Sequence, residues 1–279
     1  MSEATQALRI GFVGVGRMGS AMLKPVLEAG FHATLFDPSE QATAPFVAQF
    51  PSQVKLARSP REAAAASDVI EVVVNTNEQL LEACSGSQGI FAGAAPGSVV
   101  MIHSTVSHDT LKQLAALAAD HKVHLLDAPV SGARGHLSIP NLAVMVGGDA
   151  AAFERAKPVL QTYGGLVLHL GPQGAGLDAK LSINMLRYVV MAVSQETASL
   201  ANNAGVGAAL AQLVQHTEAN RFVGDMSRLA AIPAEHRAKD AVLAQKDLRA
   251  AIARGAEVGV KLPTAELVAT LMHRVWGVE

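Results

Sequence analysis

The sequence predicts an α/β fold: a Rossmann-type, doubly wound parallel sheet followed by an all-α C-terminal domain. Three features carry that expectation. Strand and helix patterns alternate from residue 8 to about residue 170. A G-x-G-x-x-G run follows the first strand at once. Beyond Gly176 the strand patterns stop and helical patterns take over.

The first strand reads from Leu8 to Gly14 (LRIGFVG), apolar and β-branched as a buried strand requires. Gly14-Val15-Gly16-Arg17-Met18-Gly19 comes next, then a helical stretch through Leu27. In this strand-turn-helix setting the motif predicts dinucleotide binding. Gly14 permits the tight turn, Gly16 lets the backbone approach a pyrophosphate, and Gly19 allows close helix–strand packing. The helix N-terminus favours the phosphate charge.

Thr34-Leu35-Phe36-Asp37 ends a second strand and sets Asp37 where a ribose-reading acid belongs. A carboxylate there accepts hydrogen bonds from a ribose 2′-hydroxyl and repels a 2′-phosphate. Pro38, Ser39 and Glu40 follow, so no arginine stands ready for that phosphate. NAD is favoured as cofactor, with NADP the alternative.

Ser59-Pro60-Arg61-Glu62 opens a helix with a capping box and a proline at its first position. Further strands are expected at Val69–Val74, Val99–Ile102, Val123–Leu126, Ala143–Val146 and Leu166–Leu168. From Leu177 to Ala204 the pattern is one long helix. Later helical stretches are broken at Gly205, Gly207, Gly224, Pro233 and Gly259. The expected domains are a dinucleotide-binding domain over 1–173 and an all-helical domain over 174–279.

Lys180 falls near the start of that long helix, after Gly171-Pro172-Gln173-Gly174-Ala175-Gly176. Apolar positions at Leu181, Met185, Val189 and Ala192 set the helical period, and Asn184 projects from the face of Lys180 at i+4. A lysine and an amide near a positive helix end suit a site that handles a carbonyl and a carboxylate. Taken alone, a helical lysine is usually a solvated surface residue.

Composition narrows the classes. The chain has 279 residues, half of them hydrophobic, with a net charge of −2 and no basic stripe. Nucleic acid and acidic membranes are not expected partners. MSEATQALRI lacks the charged and apolar segments of a signal peptide, and no apolar run reaches membrane-spanning length. The single Cys84 cannot form an internal disulfide, which fits a cytoplasmic protein. The ten histidines are scattered, with no metal-binding spacing, so no metal site is expected.

Four motifs in order resemble the β-hydroxyacid dehydrogenases, the group that includes 3-hydroxyisobutyrate dehydrogenase and tartronate semialdehyde reductase. They are Gly11 to Gly19, Asp127-Ala128-Pro129-Val130-Ser131-Gly132, Gly174-Ala175-Gly176 through Lys180 and Asn184, and Lys246-Asp247-Leu248. The similarity spans essentially the whole chain. It implies a helical domain like that of 6-phosphogluconate dehydrogenase and hydride exchange between nicotinamide and a short 3-hydroxy acid or its semialdehyde or keto form. Matched positions then imply Lys180 as general acid and base, Asn184 as substrate-orienting, and Ser131 with Gly132 as carboxylate-binding. Cofactor contacts are implied for Gly14, Gly16, Arg17, Met18, Gly19, Asp37, Asn75, Thr105 (of the Ser104-Thr105 pair) and Lys246. The partner is a small hydroxy-carboxylate, and the assembly a homodimer or homotetramer joined through the helical half.

This chain departs from the family at several points. The loop after Gly132 carries Arg134, His136 and Pro140 where small residues are usual. The usual proline after the serine–threonine pair is absent from Ser104-Thr105-Val106-Ser107-His108, and Lys239-Asp240-Ala241 lacks a customary aromatic residue. These changes point to a differently shaped or more polar pocket. A free lysine titrates near about 10.4, so oxidation benefits if burial and the helix N-terminus lower that value. Two other readings stand beside the dehydrogenase: an imine reductase, whose members usually lack the lysine, and a catalytically silent dinucleotide-binding regulator.

Overall fold

The computed structural model describes residues 8–132, 141–203, 205–216, 229–259 and 261–278. Two compact units divide the chain, Met1–Lys180 and Leu181–Glu279.

The first unit is built on β1 (Arg9–Val13), β2 (His32–Phe36), β3 (Val54–Leu56), β4 (Val69–Val72), β5 (Val99–Ile102), β6 (His124–Asp127), β7 (Val130–Ser131), β8 (Leu142–Gly147) and β9 (Gly164–Gly171). Between them run α1 (Arg17–Glu28), α2 (Glu40–Gln49), α3 (Pro60–Ala65), α4 (Asn77–Cys84), α5 (Ile90–Gly93), α6 (His108–Asp120) and α7 (Ala150–Tyr163). The strands form one sheet in the order β3-β2-β1-β4-β5-β6-β8-β7, with β9 beside β8. From β3 to β6 every pair is parallel; β8 runs antiparallel to β6 and β7. The expected parallel sheet is thus present, with a reversal at one side that strand patterns alone could not reveal.

Strand order changes direction between β1 and β4, a switch point of the kind that leaves a ligand crevice at the carboxyl ends of a parallel sheet. Burial explains why these segments are strands. All four residues of β4 and of β5 are buried, as strands in a sheet covered on both faces should be; β5 is apolar throughout, and β4 is apolar apart from Glu71. The core collects Ile10, Phe12, Met22, Leu23, Leu27 and Leu35 with residues of β8 and α7. Short β3 escaped the sequence reading because Lys55 and Leu56 are exposed and give no apolar run.

Pro60 opens α3 as expected, and the Ser59 side chain accepts the Glu62 amide. The reciprocal half of the capping box differs. Glu62 Oε2 accepts the amide of Arg58, one residue before the cap, and also the Arg58 guanidinium. Cys84 is buried, and burial pushes its thiol up to about 12, so it packs as a small apolar group.

Helix α8 (Ala175–Asn203) begins two residues before the expected start. It is followed by α9 (Gly207–Gln215), a 3₁₀ turn (Leu229–Ala231), α10 (Ala234–Glu257), α11 (Pro263–Thr270) and α12 (Met272–Val275). No strand occurs beyond Gly171 among the described residues. In the second unit Tyr188, Met191, Ala244, Leu248, Met272 and Trp276 share one core. Gly205 and Gly259 adopt positive φ after helices, whereas Gly207 opens α9 instead of breaking a helix. Gly224 lies outside the described residues.

Candidate active site

The glycine-rich turn follows β1 as the sequence required. Gly14 has φ +95°, and a methyl there would lie 2.1 Å from the Val73 carbonyl oxygen, across the switch point. A methyl at Gly19 would meet the Gly14 carbonyl oxygen at 2.1 Å, so only glycine lets α1 approach the turn this closely. Gly16 is different: it is exposed, with nothing within 4 Å of its missing methyl, and as N-cap of α1 it adds no side chain. Bare backbone facing open space at a helix N-terminus fits a pyrophosphate. Arg17 is exposed and Met18 half-buried on the first turn.

Asp37 follows β2 and turns back to this motif. One carboxylate oxygen accepts the Val15 amide at 2.7 Å, and the other accepts the Ser39 amide at 2.8 Å. The acid therefore fixes the glycine-rich turn.

Exposed Asn75 lies beyond β4, and its amide donates to Gln79 Oε1. Ser104, after β5, is buried and grips that loop from below. Its hydroxyl donates to the Val74 carbonyl at 2.6 Å, and the Val74 amide donates back at 3.1 Å. Thr105 beside it is half-buried; the cap of α6 is Ser107, not Thr105. Half-buried Ser131 and Gly132 lie at the end of β7, whose Ser131 pairs with Ala143. The first unit thus collects Gly14–Gly19, Asn75, Ser104-Thr105 and Ser131-Gly132 beyond the carboxyl ends of β1, β4, β5 and β7. Arg134, His136 and Pro140 lie outside the described residues.

Lys180 is buried, at 8% exposure, in the second turn of α8. Its helix start is held by a group absent from the expected site residues. Asp127, the last residue of β6 and 2% exposed, accepts the amides of Gly174 at 2.7 Å and Leu177 at 2.8 Å. Burial raises its carboxyl above the ordinary range, and the donated amides oppose that shift. Gly147 leaves the room: a methyl there would lie 2.7 Å from Asp127 Oδ1. His108, in the run that lacks the usual proline, pairs through Nε2 with Asp178 Oδ1 at 2.9 Å. An acid at the end of a strand and an acid in a first helical turn are the signals that could have found these contacts.

In the second unit, Asn184 is 1% exposed and its Nδ2 donates to Asp247 Oδ2 at 2.8 Å. Its Oδ1 is buried and makes no hydrogen bond among the described residues. Lys246 Nζ lies 3.4 Å from Asp247 Oδ1. Among the described residues no group of three or more His, Cys, Asp or Glu could hold a metal ion. None of their helices is long and apolar enough to cross a membrane.

Fold and glycine-rich turn define a dinucleotide-binding domain. Residues 9–171 match the family described as the NAD binding domain of 6-phosphogluconate dehydrogenase. An uncharacterised oxidoreductase of Mycobacterium tuberculosis is 34% identical over 281 residues, covering 96% of this chain and 92% of its own. An NAD-dependent L-serine dehydrogenase of Pseudomonas aeruginosa is 32% identical over 215 residues, covering 77% of this chain and 71% of its own. The solved Mycobacterium tuberculosis 3-hydroxyisobutyrate dehydrogenase with L-serine has a TM-score of 0.79 at 30% identity, covering 96% of this chain and 93% of its own. The chain belongs to the β-hydroxyacid dehydrogenase family.

Proposed function

We infer that this protein is an NAD-preferring dehydrogenase of short 3-hydroxy acids, interconverting them with the semialdehyde or keto form. The carrying observation is the burial of Lys180 two turns into a helix whose amides Asp127 holds. A solvated surface lysine would be exposed, and its helix would not need a buried acid on its first amides.

The bound dinucleotide supplies the hydride exchange at C4 of its nicotinamide. The chain supplies position and protons. Backbone at Gly14–Gly19 and α1 takes the pyrophosphate, with Arg17 and Met18 flanking it. Asp37 accepts from the ribose hydroxyls, which favours NAD. Asn75, Thr105 and Lys246 complete the cofactor contacts. Ser131 and the Gly132 amide hold the substrate carboxylate. With Asn184 Nδ2 committed to Asp247, Asn184 Oδ1 is the acceptor that orients the substrate hydroxyl. In reduction, the Lys180 ammonium gives its proton to the carbonyl oxygen; in oxidation, the neutral amine takes the hydroxyl proton.

The assembly is a homodimer or homotetramer through the helical half. Exposed Ile183, Leu186 and Val193 lie at helical spacing along α8, with Leu213 and Leu267 also exposed in the second unit. Sedimentation at micromolar concentration should show dimers or larger species; monomer alone would contradict this.

A panel of hydroxy acids with NAD, followed by nicotinamide absorbance, tests the activity. Lys180→Ala should lower turnover roughly a hundredfold to ten-thousandfold while cofactor affinity holds. Near-normal turnover in a folded Lys180→Ala protein would remove the lysine from the mechanism.

A further inference from the structure

A charged cluster of residues not given a role above lies inside the first unit. Glu71 stands in the middle of β4 at 0% exposure, His103 follows β5 at 5%, and Tyr163 ends α7 at 1%. Glu71 Oε2 contacts His103 Nε2, and the Tyr163 hydroxyl donates to both Glu71 oxygens at 3.1 and 3.2 Å. His103 Nδ1 lies 2.6 Å from the Ala128 carbonyl oxygen.

The donors fix the proton count. A carbonyl oxygen only accepts, so His103 Nδ1 carries hydrogen and donates to Ala128. One further proton then lies between Nε2 and Glu71, on either partner, and the pair is neutral as a whole. Tyr163 occupies the remaining acceptor capacity of Glu71; burial and the adjacent Glu71 charge raise its hydroxyl well above the ordinary tyrosine value. The cluster is fully satisfied, which is what a charged group in an apolar sheet requires.

Its position is informative. His103 immediately precedes the Ser104-Thr105 pair, and Ala128 immediately follows Asp127 and leads to Ser131. The Ala128 amide also donates to the Ile102 carbonyl at 2.8 Å, so Ala128 is clamped from both sides by the end of β5. Glu71 stands three residues before Val74, which Ser104 grips.

We propose that Glu71 and His103 are positioning residues, a proton-sharing pair that fixes the loop Asp127–Gly132 against the loop Ser104–Thr105. Through Asp127 the same grip sets the start of α8 and hence Lys180. The assignment rests on the site reading given under Proposed function. A pair of apolar residues would fill the space with equal stability, since buried ion pairs seldom add net stability. The pair supplies direction: a hydrogen bond to one carbonyl.

The test compares three proteins. Glu71→Gln keeps the geometry, because its amide donates to His103 Nε2 and its oxygen accepts from Tyr163. It should keep kcat/KM within about threefold of the parent. The triple variant Glu71→Met, His103→Leu, Tyr163→Phe replaces the cluster by apolar groups. It should unfold cooperatively near the parent temperature, yet lose kcat/KM by at least about tenfold, as small misplacements do. Hydrogen exchange of the amides of Ala128, Val130, Ser131 and Gly132 should speed up at least about tenfold, while β4 and β5 stay protected. Should the triple variant not fold, Glu71→Gln with His103→Leu removes the Ala128 bond together with the contact between residues 71 and 103, keeps Tyr163, and should give the same exchange result.

Unchanged exchange at 128–132 in either variant would overturn the proposal. So would loss of folding in both, since the cluster would then be core structure. If the parent protein turns over no hydroxy acid, the enzymatic reading fails by itself, and the exchange result still decides whether the pair holds the loop.

Discussion

The Asp127 carboxylate accepts the Leu177 amide at 2.8 Å, so the end of β6 caps a helix fifty residues downstream. The same carboxylate takes the Gly174 amide, and it is 2% exposed. Asp127→Asn replaces one acceptor oxygen by an amino group facing a donor. The cost should be about 1–3 kcal/mol in urea unfolding, the usual penalty for an unsatisfied buried donor. Gly147→Ala should destabilise as well, because its methyl would press on Asp127 Oδ1. Full stability in Asp127→Asn would mean the cap is dispensable.

Asp37 holds the glycine-rich turn, and its proposed reading of the ribose separates from that by mutation. Because it holds the Val15 and Ser39 amides, Asp37→Ala should weaken NAD by roughly tenfold, about the worth of one good hydrogen bond, and NADP by less, since the lost turn contacts are offset there by relief of the phosphate repulsion. Asp37→Ser with Pro38→Arg should in addition turn preference toward NADP, by removing repulsion and adding a phosphate partner. The measurement is kcat/KM and Kd with each cofactor. A parent protein that already prefers NADP would refute the ribose-reading role.

Arg9 and Asp68 pin the entry of β1 to the entry of β4. The guanidinium donates to both Asp68 oxygens at 2.9 and 3.0 Å, and the Arg9 amide adds a third bond. The Arg9 side-chain hydrogen bond holds the Asp68 carboxyl below its usual range. With the folded value depressed, the stabilisation is present above the unfolded value near about 3.9 and disappears as pH falls through the folded one. Asp68→Asn should therefore cost up to about 1 kcal/mol at pH 7, given that Arg9 is half exposed. The difference should shrink below about pH 4. A difference that persisted unchanged at pH 2 would exclude ionisation of Asp68 as its source.

The substrate should carry polar groups beyond the reacting hydroxyl. Arg134 and His136 follow Ser131-Gly132 in sequence. Polar pockets reject substrates that leave their groups unpaired far more strongly than apolar pockets reject a missing methyl. L-serine and polyhydroxylated three- and four-carbon acids should exceed 3-hydroxyisobutyrate in kcat/KM by at least about tenfold. A preference for the methyl-bearing acid would restore an apolar pocket.

Local physics made much of this protein legible in one dimension. Gly14 and Gly19 announce a turn that only glycine permits, and the buried strand at Val99 announces itself by a continuous apolar run. The long helix is visible in the period of Leu181, Met185, Val189 and Ala192. These are signals between near neighbours, where sterics and periodicity act directly. What only the tertiary structure decided are contacts between distant residues. Asp37 on the Val15 amide, Asp127 on the start of α8, and Asn184 on Asp247 each join segments at least 22 residues apart. Glu71 in a strand of valines and isoleucine reads as an anomaly in sequence. Its explanation, His103 and Tyr163, lies 32 and 92 residues away. A buried charge is tolerated only where the fold brings its partners to it, and no local pattern records which partners those are.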